Sequence, residues 1–298
     1  MQGQKVENRA LPGQGLRARL GGEGLRFAKK QPLGAAGLVM VVVVIVLAVF
    51  APDVSNGTPN TDDYSARLKP PSASHWFGTD DFGRDLWTRM VYGARVSLEV
   101  GFIAVFTGST LGLVLGVVTG YLGAGVDTIA QRIVEIMLSI PGLLLALALM
   151  ATLGPGVDKV IIALAILYVP RTLRVVRGTV LSIKENVYIE AARTVGASPL
   201  RVMFRHVLPN VMAPYLIIAS SLLGAAILTE ATLSFLGLGV PPPHASWGRM
   251  LASSVATYAV SAPWMVIVPG LGITWLVLGF NLLGDSLRDV WDPRLRGR

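Results

Sequence analysis

The sequence contains no cysteine. A disulfide framework, a thiolate metal site and a cysteine nucleophile are therefore excluded, and nothing can be read about redox compartment. Histidine is scarce as well: His75, His206 and His244 stand far apart and none belongs to an H-E-x-x-H pair, so no metal centre is expected. No segment fits G-x-x-x-x-G-K-S/T, and without that phosphate-binding loop the chain is not expected to hydrolyse nucleotide itself. Asp80, Asp81 and Asp85 lie close together, but the alternating ligand spacing and distal glutamate of a calcium loop are missing. Charge is the broadest shortage. Only 15% of the 298 residues are charged against 52% apolar, a balance too apolar for a soluble globule of this length.

The apolar residues are gathered into blocks at 33–51, 96–119, 133–153, 159–177, 211–236 and 263–283. Each is close to the ~20 residues that a helix needs to cross ~30 Å of hydrocarbon. The sequence thus predicts an all-α, polytopic membrane protein with about six transmembrane helices. The first block, Leu33 to Ala51, carries no charge and is longer than the core of a cleavable signal peptide, so it is expected to stay as the first span. The remaining organisation follows: a tail over 1–32, an outer-face loop over 52–95, a core of five further spans over 96–283, and a tail over 284–298. With the amino terminus inside, the inner segments hold 19 of the 26 Lys and Arg residues, which by the positive-inside rule puts both termini in the cytoplasm. The net charge of +8 is accounted for by that asymmetry and does not call for nucleic acid.

Within the second block Gly108, Gly112, Gly116 and Gly120 recur every four residues and share one helical face. In lipid, where no hydrophobic force drives helices together, such a groove allows close backbone packing; a pore-lining face is the other reading. Pro141, Pro170, Pro214 and Pro269 lie in or beside the blocks and mark kinks. Glu99, Glu135 and Glu230 are acidic residues within or beside spans, where a charge at mid-membrane costs ~2.5–3.5 kcal/mol, so each should face protein or water; for Glu230 a structural, hydrogen-bonded carboxylate is the first reading and a vestibule or binding-protein contact the second.

Between the fourth and fifth blocks, residues 184–210 read KENVYIEAARTVGASPLRVMFRHVLPN. This is too polar to span and too apolar for an idle connection. Glu185 to Val195 can form a short helix, Gly196 supplies a break, Ser198 followed by Pro199 forms a helix start, and Pro209 closes the second helix. Ala191 and Ala192 leave a small patch beside Glu190 where another protein's backbone can approach. A DNA-reading helix-turn-helix has similar spacing, but both ends of this segment enter the bilayer within a few residues.

The Glu190-Ala191-Ala192, Gly196 and Leu208-Pro209 spacing resembles the EAA loop of the permease subunits of bacterial ABC importers. One departure is His206, where the generic pattern has isoleucine; the peptide-importer branch tolerates histidine there. Residues 78–98 (GTDDFGRDLWTRMVYGARVSL), 229–251 (TEATLSFLGLGVPPPHASWGRML) and 285–297 (DSLRDVWDPRLRG) are similar to the C-type permeases of the dipeptide, oligopeptide and nickel branch. The first 32 residues carry no usable resemblance. The resemblance implies a type I permease fold and a chain that forms half of a translocation path for peptides. It implies as partners a second, homologous permease, two ATPase subunits that bind ATP and Mg, an extracytoplasmic substrate-binding protein, and the lipid of a bacterial or archaeal inner membrane. No cofactor is expected in this chain. The ATPase would be coupled through Glu190, Ala191, Ala192, Gly196, Pro199, Leu208 and Pro209. Glu230, Ser234 and Trp247 become candidates for the path or its outer vestibule. Nickel chelates or glutathione are alternative cargoes. A stand-alone secondary transporter would more often have ten to twelve spans with internal repeats, and a membrane enzyme would need polar residues converging at one interface.

Overall fold

A computed structural model describes residues 31–291. The expectations for residues 1–30 and 292–298 lie outside the described residues. Among the described residues the chain forms α1 (Pro32–Val49), α2 (Ala51–Val54), α3 (Leu86–Leu122), α4 (Ala124–Ser139), α5 (Gly142–Leu153), α6 (Val157–Lys184), α7 (Val187–Thr194), α8 (Pro199–Val202), α9 (Leu208–Phe235), α10 (Trp247–Tyr258) and α11 (Trp264–Trp291), with no extended strand. Four helical stretches are long and apolar enough to cross a membrane alone: Pro32–Val49, Leu86–Leu122, Pro199–Phe235 and Trp264–Val290.

The count of six spans is approximate, for two reasons. The block 133–153 is broken at Ile140–Pro141, where α4 and α5 meet at 95°, so this pair makes a fifth span only as a bent unit. Pro141 sits at the N-cap of α5, where its missing N–H costs nothing to that helix but removes a bond from any straight continuation. The block 159–177 falls inside the 28-residue α6. Arg171, Arg174 and Arg177 lie in the last part of that block, giving the helix more charge than the other spans. The second span is also longer than the apolar block suggested. Helix α3 begins at Leu86, not near 96, and its 37 residues make ~55 Å, well beyond the hydrocarbon thickness. Asp85 starts it by accepting from the Thr88 N–H at 2.9 Å.

The glycine groove of α3 is filled by α6. A Cβ on Gly112 would lie 2.7 Å from the Val169 carbonyl oxygen, one on Gly116 2.9 Å from that of Leu173, and one on Gly120 3.0 Å from the Val180 side chain. Gly108 meets the Ala165 backbone still more closely. Partner numbers rise together, so α3 and α6 run parallel. Elsewhere neighbours run opposed: Gly37 of α1 touches Gly279 and Leu282 of α11, Gly224 of α9 touches Asn281, and Ser97 and Thr110 of α3 meet Glu230 and Tyr215 of α9. Helices α1 and α9 therefore point one way and α3, α6 and α11 the other. The start of α1, the ends of α3, α6 and α11, and the loop 184–210 all lie at one end of the bundle.

The opposite end is capped by residues 55–85, which fold back onto the helix starts. Thr88 Oγ1 accepts from the Asn56 N–H at 3.1 Å, Trp87 Nε1 donates to the Val54 carbonyl at 2.8 Å, and Trp264 Nε1 donates to the Thr79 carbonyl at 3.1 Å. Arg89 reaches the Pro59 carbonyl at 2.8 Å and the Asp80 carboxylate at 3.6 Å. Burial pushes the Asp80 carboxyl above its ordinary value, against the pull of the Arg84 N–H and the Arg89 guanidinium. Asp85 is occupied by Thr88 and by His75 Nδ1 at 3.0 Å, so these acids are tied into the turn.

Candidate functional site

The loop 184–210 is ordered from its own sequence. Helix α7 has eight residues, too few to persist alone in water. Ile189 is its one buried residue and is fully buried, packed in a cluster with Tyr121 of α3, Val180 and Ile183 of α6, Val202, Val207, and Val211 of α9. The end of α7 closes as a Schellman motif. The Gly196 N–H donates to the Arg193 carbonyl at 2.9 Å and the Ala197 N–H to the Ala192 carbonyl at 3.0 Å. Gly196 takes φ +82° with open space around it, so the backbone angle alone favours glycine there. Ser198 then caps α8, its Oγ accepting from the Arg201 N–H at 3.4 Å, with Pro199 in the first turn.

One expectation is corrected here. Pro209 does not close the second helix, because the chain runs on through a π-helical turn, Met203–Val207, into α9. The Leu208 N–H bonds to the Met203 carbonyl, five residues back, and this wider turn makes room for the proline ring at the second position of α9. The loop and the fifth span are thus mechanically one piece.

The loop is also clamped to the span ends. Lys184 Nζ donates to the Tyr121 carbonyl at 2.8 Å, and the Arg193 guanidinium lies 5.1 Å from the centre of the Tyr121 ring. Its outer surface is of a different kind. Glu190 and Ala191 are exposed, Ala192 and Leu208 half-buried, and Pro199 and Pro209 exposed. Beside them Val187, Val195, Leu200 and Phe204 are 80%, 84%, 64% and 67% exposed. Four large apolar side chains and one carboxylate are thus exposed on the loop 184–210, at one end of the bundle, with no cover among the described residues. Sequence reasoning found the small residues and the carboxylate but missed the anchors Ile189, Arg193 and Tyr121. The helix reads VYIEAART, and nothing local in it marks Ile189 rather than Val187 as the buried residue.

Glu230, Ser234 and Trp247, the candidates for the path or its outer vestibule, are all buried within this chain. Glu230 is fully buried and its carboxylate accepts three hydroxyls, from Ser97 at 3.0 Å, Ser234 at 2.8 Å and Ser246 at 2.9 Å. Trp247 is 2% exposed and donates to the Met90 carbonyl at 2.9 Å. The reason is packing: α9 and α3 lie against each other at this level, and the turn after α9 folds over them. Together these residues pin α3, α9 and the start of α10. Glu99 and Glu135 take no part; Glu135 meets Arg132 on the exposed face of α4 at 3.1 Å.

Comparison with known proteins bears on the whole chain. Residues 112–297 match the family described as binding-protein-dependent transport system inner membrane component. Residues 21–71 match the N-terminal transmembrane domain of oligopeptide transport permease C, which extends the likeness into the stretch where the sequence alone showed none. The dipeptide transport system permease protein DppC of Alkalihalophilus pseudofirmus is 46% identical over 92% of this chain and 90% of its own. A putative peptide transport system permease protein of Brucella suis is 46% identical over 87% of each. The glutathione transport system permease protein GsiD of Escherichia coli O1:K1 / APEC is 40% identical over 91% and 90%. Matches of this extent, together with the all-helical multi-span fold, place the chain in the inner membrane as a transport subunit. It belongs to the binding-protein-dependent transport system inner membrane components, and within them to the permease subunits of the peptide ABC importers.

Proposed function

We propose that this chain forms half of the translocation path for short peptides, with a second, homologous permease as the other half. An extracytoplasmic binding protein delivers the peptide, and two separate ATPase subunits, which bind ATP and Mg, drive the cycle. The observation that carries this reading is the loop 184–210. One of its faces is fused to α3, α6 and α9 through the Ile189 cluster, while the other presents Glu190, Ala191 and the exposed Val187, Val195, Leu200 and Phe204. Closure of an ATPase pair against that surface moves Ile189 and Arg193, and these are held to the ends of α3 and α6. Because the π turn leads directly into α9, the same displacement reaches the fifth span. Rigid coupling of this kind suits a rocking, alternating-access cycle. The Lys and Arg asymmetry supports a cytoplasmic location for this end of the bundle and for both termini.

A glutathione cargo is the second reading, favoured by the 40% identity to a permease named for it. Reconstitution of the complete importer in proteoliposomes with its binding protein decides the matter. ATP-dependent uptake of labelled dipeptide exceeding that of glutathione is expected. Uptake of glutathione alone would replace the peptide reading, and uptake of neither would remove it.

A further inference from the structure

At the end of the bundle opposite the coupling loop, a half-enclosed cavity of about 240 Å³ lies between the turn 80–84 and the stretch 242–253. Its walls carry Asp81, Arg84, Arg89, His244 and Arg249. Arg84 is already paired with Asp62 at 2.6 Å, and Arg89 with Asp80 at 3.6 Å. Asp81 and Arg249 are half-buried, and among the described residues neither makes an ion pair, with each other or with any other side chain.

Both unpaired charges stand on rigid backbone. Asp81 sits in a turn fixed by the Asp80 carboxylate, which accepts from the Phe82 and Arg84 N–H groups at 2.9 and 2.8 Å. Gly83 completes that turn at φ +76°. Arg249 lies in the first turn of α10. Ser246 ties that helix start to Glu230, Trp247 ties it to Met90, and Gly248 is pressed on the Ala231 backbone with no room for a Cβ. The buried Glu230 cluster thus holds Arg249 in place at the cavity wall. Two opposite, separated and preorganised charges facing one small cavity are complementary to a ligand that carries a cation and an anion at its two ends.

We infer that this cavity receives the zwitterionic backbone of a short peptide, with Arg249 taking the α-carboxylate and Asp81 the α-ammonium. The inference rests on the peptide reading above and goes beyond it in naming a site within this chain. The volume lies below the ~300–1,000 Å³ of drug-sized ligand pockets, which suits a dipeptide better than a long chain. A guanidinium reads a carboxylate by two parallel N–H donors, which lysine cannot reproduce. Phe82 and Pro243 leave an apolar wall for a side chain of unspecified identity, as a peptide importer requires.

The test uses the complete importer in nanodiscs with its binding protein and a diazirine-labelled dipeptide. Mass spectrometry should map the photoadduct to residues 80–84 or 242–253. Unlabelled dipeptide should displace it, and its C-terminal amide should do so about tenfold less well, the size of one lost charge-assisted contact. Arg249→Gln should abolish that preference for the free carboxylate, Arg249→Lys should restore only part of it, and Asp81→Asn should abolish the preference for a free amine over its acetyl derivative. Copurification of the ATPase monitors assembly of each variant. If the importer takes up dipeptide but no adduct forms here, or if both variants keep the wild-type preferences, the cavity assignment is wrong while the function stands. Variants that weaken capture of the binding protein without changing the adduct would make the cavity a protein-docking surface, which also overturns it.

Discussion

Replacing Ile189 with alanine should detach the coupling helix from the spans while leaving the spans themselves intact. Ile189 is fully buried and is the one buried residue of α7, so no other side chain on that helix compensates for its loss. Truncation of a buried isoleucine to alanine costs ~2–5 kcal/mol, from lost apolar burial and the cavity left behind. Helix α7 has eight residues, and an isolated helix of that length is marginal in water, so most of the cost falls on its docking against Tyr121, Val180 and Val202. A loss of ~3 kcal/mol corresponds to more than a hundredfold in the population of the docked helix. The spans are held elsewhere, by the α3–α6 glycine seam and the Glu230 serine cluster. Hydrogen exchange on the assembled importer is the assay. Amides of residues 187–197 should lose protection while those of 100–115 keep it, and ATP hydrolysis should continue with little uptake. Unchanged protection of 187–197 would refute the anchoring argument. A parallel loss in 100–115 would show that the variant unfolds the bundle instead.

Three further outcomes are expected. Gly112→Leu should lower the yield of assembled importer several-fold, because an added Cβ already sits 2.7 Å from the Val169 carbonyl; undiminished yield on size-exclusion chromatography would remove the seam. Glu230→Ala should lower thermal stability, leaving three buried serine hydroxyls without their acceptor at ~1–3 kcal/mol for an unsatisfied group, and Glu230→Gln should recover part of it; a melting temperature unaffected by either change would contradict the cluster's role. Ser74→Cys should react with an impermeant maleimide added to intact cells, whereas Ser198→Cys should react only after permeabilisation; the reverse pattern would invert the topology.

The helix-turn-helix of residues 184–202 was legible in sequence because its signals are local. Gly196, Ser198 and Pro199 each dictate a backbone conformation without help from distant residues. The glycine spacing of α3 is likewise local, but its partner α6 lies more than fifty residues away and emerges only from the fold. Helix α3 began earlier than its apolar block because helix formation does not stop where lipid does. Arg89 and Arg95 ended the apolar run without ending the hydrogen-bonded ladder, and the true start is set by the Asp85 cap. The break at Ile140–Pro141 was half visible: proline announced a kink, but not its 95° size. Glu230 allowed two readings because a carboxylate in a span can face either water or donors, and in the fold it faces donors. Its three serines come from positions 97, 234 and 246, and two of them could not be placed beside it from sequence alone.

The absence of native cysteine makes the central claim directly testable. Single cysteines at Glu190, Ala191, Val195 and Leu200 can be paired with a cysteine scan of the partner ATPase in membranes containing the whole importer. The account predicts disulfide crosslinks from Ala191→Cys and Leu200→Cys to the ATPase, with ATP changing their yield. Persistent uptake with no crosslink from any of the four positions would contradict the assignment of this surface to the ATPase.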